Sequence, residues 1–166
     1  MKHFPLVILL LSGTLVHAQS AGTGTSAVPA PPPATGQVPG DPGELLGMTP
    51  AQAFMRFGAP DRVFAVRGAE PWQDDVVFEY SGGFSLFLCL DRVWQVRLAE
   101  PYAAPVMGFS LGASVERAVS VFGVPELLEA ASWEWNLPGS AWPVRLRGNG
   151  DAAGAIREVY IYRADF

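Results

Sequence analysis

Few residues in this chain could do chemistry, and their placement limits them further. Asp74 and Asp75 are adjacent carboxylates, Cys89 is the one thiol, and five tryptophans stand at 72, 94, 133, 135 and 142. Paired carboxylates can run acid–base chemistry of the glycosidase kind. Neighbours on a strand face opposite ways, however, so Asp74 and Asp75 read as a solvated turn. With Gln73 they fall short of the roughly six to eight oxygens that calcium takes. Cys89 sits in the apolar run Leu86-Phe-Leu-Cys-Leu90, and residues 18–166 hold no histidine to help form a thiolate. It reads as a small packed hydrophobe, with an intermolecular disulfide as the alternative.

Both histidines, His3 and His17, and the only lysine, Lys2, lie within the first 17 residues. That stretch is written as a secretory signal peptide over residues 1–18. It has a basic start, an apolar run from Phe4 to Leu11, and small residues at Val16 and Ala18, with cleavage between Ala18 and Gln19. Its apolar run is far short of the roughly 20 residues a spanning helix needs. The product is therefore predicted to be exported and not membrane-spanning, periplasmic in a cell with two membranes and secreted otherwise. Without His or Lys the mature chain lacks the usual general base, metal ligand, Schiff-base amine and phosphate-loop lysine. The expectation is a non-enzyme with no metal and no cofactor. The full chain carries 11 basic and 16 acidic residues, which argues against nucleic acid as a partner.

Residues 19–42 are Ala, Gly, Thr, Ser and Pro with Pro31-Pro32-Pro33 in the middle, a composition predicting a disordered tether. Residues 43–166 are rich in Val, Leu, Phe and Trp and predict a globular α+β domain. Within them one pattern occurs twice, 65 residues apart. Gly47-Met-Thr-Pro-Ala-Gln-Ala-Phe-Met-Arg-Phe-Gly-Ala-Pro-Asp61 aligns with Gly112-Ala-Ser-Val-Glu-Arg-Ala-Val-Ser-Val-Phe-Gly-Val-Pro-Glu126. Thr49 and Ser114 suit helix N-caps, and Gln52 completes a capping box. Gly58 and Gly123 suit left-handed helix ends, and Pro60 and Pro125 forbid continuation.

Alternating runs after each helix predict strands at 75–80, 84–90 and 93–98, then at 133–137, 144–146 and 156–163. Residues 62–67 add an edge strand. The expected fold is two tandem helix-plus-antiparallel-sheet repeats, 43–100 and 107–166, with helices packed on one face of the sheet. Short capped helices ending in Phe-Gly-x-Pro before a meander resemble the SmpA/BamE family and its relative, the beta-lactamase inhibitor protein (BLIP). The resemblance covers roughly residues 47–166. It implies an exported, non-enzymatic domain that binds protein through its sheet face.

Alternation assigns Trp94 with Val96 and Leu98, and Trp133 and Trp135 with Leu137, to the core. It turns Arg97, Arg145, Arg147, Tyr160 and Tyr162 to the opposite, open face, where they are the candidate protein-binding residues. The expected partner is an envelope or secreted protein. Trp72 and Trp142 sit in Pro-flanked turns and are the candidate pair for the alternative, a glycan- or peptidoglycan-binding module.

Overall fold

A computed structural model of the chain describes residues 37–166. The signal peptide, the Ala18–Gln19 cleavage site and the tether up to residue 36 lie outside the described residues. Local chemistry starts the two helices. The Thr49 hydroxyl accepts from the Gln52 N–H at 3.2 Å, and Gln52 Oε1 accepts from the Thr49 N–H at 2.8 Å. This reciprocal cap opens α1 (Pro50–Phe57), and Ser114 caps α2 (Val115–Phe122). Gly58 at φ 78° and Gly123 at φ 87° close them, a backbone region that only glycine enters freely.

The strands are β1 (Arg62–Val66), β2 (Asp75–Tyr80), β3 (Phe84–Cys89) and β4 (Arg92–Ala99), then β5 (Glu126–Glu129), β6 (Ser132–Leu137), β7 (Val144–Gly150) and β8 (Ile156–Arg163). They form one antiparallel sheet in the order β1-β2-β3-β4-β8-β7-β6-β5. This corrects the expected α+β layout of two tandem helix-plus-sheet repeats. The structure is a continuous eight-stranded sheet in which strand far outweighs helix. The physical reason is the long-range pairing of β4 with β8, which runs from Gln95↔Tyr162 to Ala99↔Glu158 and leaves no seam between halves. Packing also begins earlier than residue 43. Val38 is buried in the core, and the Met107 N–H donates to the Gly40 carbonyl at 2.7 Å.

One face of the sheet carries the core. Phe78, Leu86, Val96, Ile161, Leu146 and Trp135 run across it from β2 to β6. α1 contributes Ala53 and Phe57, whose ring lies 5.1 Å from that of Phe84 and 5.7 Å from that of Tyr80. α2 contributes Ala118 to the same core. Each large apolar side chain fully buried here contributes about 1.5–3 kcal/mol, the main force holding eight-residue helices on the sheet. No described helix is long and apolar enough to cross a membrane.

Candidate functional site

The face opposite the core is built by strand register. Three cross-strand rows cross it: Gln95–Tyr162–Arg145, then Arg97–Tyr160–Arg147–Glu134, then Ala99–Glu158–Asn149–Ser132. The candidate residues Arg97, Arg145, Arg147, Tyr160 and Tyr162 therefore lie together on three adjacent strands, β4, β8 and β7. Alternation sets the face each of them occupies, since a residue's face follows its parity along the strand, and the β4–β8 and β8–β7 pairings bring them side by side.

Their electrostatics differ from a cationic patch. Arg145 Nη1 donates to Glu134 Oε1 at 2.8 Å, and the Tyr162 hydroxyl donates to Glu134 Oε2. Arg97 Nε donates to Glu158 Oε1, whose other oxygen accepts from Asn149 Nδ2 at 3.2 Å. Arg147 Nε donates to Ser132 Oγ at 3.0 Å and to Asn149 Oδ1 at 3.3 Å. Burial works to raise the Glu158 carboxyl, but Arg97 and Asn149 outweigh it and hold it below the usual 4.5. Burial, with Glu134 beside it, pushes the Tyr162 hydroxyl up to about 12. Two of the three arginines are thus neutralised by carboxylates on neighbouring strands, and the third is fixed by neutral oxygens. Glu134 is the residue the sequence reading missed; its place between Trp133 and Trp135 already turned it to the arginine side.

A hollow of about 470 Å³ opens in the middle of this face, lined by Trp94, Gln95, Arg147, Asn149, Tyr160 and Tyr162. A second, of about 840 Å³, lies toward Glu100 and Tyr102, with Arg97 and Glu158 on its wall.

Trp94 corrects its assignment to the core. Leu88 pairs with Val93 and Phe87 with Gln95, so Trp94 is an extra residue in β4, a bulge that turns it to the open side. There its indole N–H donates to Asp75 Oδ1 at 2.9 Å, and its ring stacks on Phe166 at 5.9 Å. Val93 and Val96 are both fully buried, three positions apart instead of two, and that odd spacing was the available signal. Trp135 is core as expected, and its N–H donates to the Gly123 carbonyl at 2.9 Å.

The two glycan candidates are not brought together. Trp142 is half-buried against the core, with the Arg163 guanidinium 4.6 Å from its ring. A Cβ at Gly47 would lie 2.9 Å from Trp142 Cη2, so the indole fills the space that this glycine leaves. Trp72 is 69% exposed and walls a separate cleft with Trp94 and Phe166.

No family model and no curated protein matches the chain. Among solved structures it is similar to an extracellular protein containing an SCP domain from Bacillus anthracis str. Ames, at 9% identity and a TM-score of 0.51. The likeness covers 95% of this chain and 51% of that one, so this chain spans about half that protein's length. At this identity the likeness shows the fold alone.

Proposed function

We propose that the chain is an exported, non-enzymatic module that binds an envelope or secreted protein through its open sheet face. The observation that carries this reading is the state of the β4–β8–β7 surface. Arg97, Arg145 and Arg147 are held in place by Glu158, Glu134 and Ser132, and Arg147 lines a hollow with Tyr160 and Tyr162. Arg, Tyr and Trp are the side chains that dominate binding energy at interfaces, and side chains already fixed lose less freedom on association. The signal-peptide pattern and the extracellular setting of the SCP-domain protein support export. The likeness of the Phe-Gly-x-Pro segments to the SmpA/BamE family and BLIP supports a binding role.

Exposed Trp72 favours a second reading, a glycan-binding module. Capture from solubilised envelope proteins, run beside retention on peptidoglycan, separates the two. The first reading expects a discrete protein retained by the wild type and lost with Tyr160→Ala, and no retention on peptidoglycan. Retention on peptidoglycan that Trp72→Ala abolishes establishes the second reading instead.

A further inference from the structure

Asp75 opens β2 and is only 8% exposed, yet none of the ion pairs among the described residues involves it. Its hydrogen bond from a side chain is the Trp94 indole N–H on Oδ1. The surrounding arginines are engaged elsewhere or turned outward. Arg67 is held by Asp74 and Arg163 by Asp165, while Arg92 is exposed. A carboxylate this buried is costly without a positive partner. Burial raises its carboxyl above the ordinary 3.8; the Trp94 N–H opposes this, and neighbouring Asp74 adds to the rise.

The carboxylate lines a cleft of about 490 Å³ whose walls include Trp72, Trp94, Phe166 and Leu90. Trp72, Leu90 and Phe166 are all well exposed, so the cleft opens to solvent through apolar and aromatic side chains. Aromatic rings around a fixed negative charge are the arrangement that attracts an organic cation, through the ring quadrupole and the carboxylate together. The same end of the molecule already holds one such pair, with the Arg163 guanidinium 4.8 Å from the Phe166 ring. A sugar would ask for several hydrogen-bonding groups, and Asp75 and Gln73 are the main polar side chains here.

We propose that this cleft binds an organic cation, a guanidinium or ammonium group lying on the exposed Trp72 ring beside the stacked Trp94–Phe166 pair and set against the Asp75 carboxylate. The site stands apart from the partner-binding reading and does not need it to hold.

The test is titration of the purified full chain, followed by tryptophan fluorescence, with N-acetyl-arginine amide and with choline. N-acetyl-citrulline amide and 3,3-dimethylbutanol are their neutral counterparts. Saturable binding of at least one cation with no binding of its neutral counterpart is expected, and the two cations separate a protein side chain from a free amine as the source. Asp75→Asn keeps an acceptor for Trp94 and removes only the charge, so it should weaken binding about tenfold. Trp72→Ala, at an exposed site that leaves folding intact, should weaken it about threefold. Equal binding of cation and neutral counterpart, binding unchanged in Asp75→Asn, preference for N-acetylglucosamine oligomers, or no binding of either cation overturns the proposal.

Discussion

Glu134 Oε1 lies 2.8 Å from Arg145 Nη1, across the β6–β7 pair, and the Glu134 side chain is only 7% exposed while the arginine is 42% exposed. The pair is lopsided: the carboxylate is buried and the guanidinium covers it. Removing the cover leaves a desolvated charge with only Tyr162 to bond it. We expect Arg145→Ala to lower unfolding stability by about 1–2 kcal/mol in urea melts, discounted for the exposure of the arginine. The exposed pair Arg62–Glu79, at 3.2 Å, is the control. Arg62→Ala should change stability by less than about 0.5 kcal/mol.

Gly123 has nothing within 4 Å of where a Cβ would stand, so a side chain there meets no clash. Its φ of 87° with ψ of −164° remains accessible only to glycine. Gly123→Ala and Gly123→Val should therefore each cost about 1 kcal/mol or more through backbone strain alone. Thermal unfolding of both variants checks this, and wild-type stability would deny the helix-closing role.

All four tyrosines, at 80, 102, 160 and 162, have hydroxyls shifted above the ordinary 10.0, with burial the first cause at each. Tyr80 and Tyr162 reach about 12. An absorbance titration at alkaline pH should show less phenolate at the ordinary value than four solvated tyrosines would give, while the fold persists. Tyr162→Phe should remove one of the late-ionising groups. A full tyrosine titration at the ordinary value in the folded protein would show that these side chains are solvated.

Asp75 gives a pH dependence of definite sign. Its folded carboxyl lies above its ordinary 3.8, so the fold favours the protonated form. The stability tied to that form is complete below 3.8 and is lost as pH rises through the raised value. Asp75→Asn removes the titration while keeping an acceptor for the Trp94 N–H. We expect the variant to be more stable than wild type at neutral pH and to match it in acid, read from denaturant midpoints across the pH range. Lower stability at neutral pH would mean that the charge has a stabilising partner.

The legible parts of this fold are those encoded within a few residues. The Thr49–Gln52 box and the Gly58 and Gly123 helix ends depend on contacts no more than four residues apart, so their spacing is written directly in the chain. The faces of β7 and β8 follow from simple parity, which placed Arg145, Arg147, Tyr160 and Tyr162 together. The unread parts depend on distant partners. Pairing of β4 with β8 brings Arg97 to Tyr160 across 63 residues, and no local pattern specifies it. The bulge at Trp94 breaks parity, so a residue read as core became a wall of two hollows. Arg145 and Arg97 read as free charges because Glu134 and Glu158 reach them only after the strands have paired.

The most direct test of the sheet face as a partner surface is site-specific photocrosslinking in the exporting cell. A photoreactive benzoylphenylalanine would be placed at Tyr160, at Gln95 and, on the exposed surface of α1, at Met55. A discrete crosslinked protein at Tyr160 and Gln95, absent at Met55, is the predicted result. Crosslinks at Met55 with none at Tyr160 or Gln95 would contradict it.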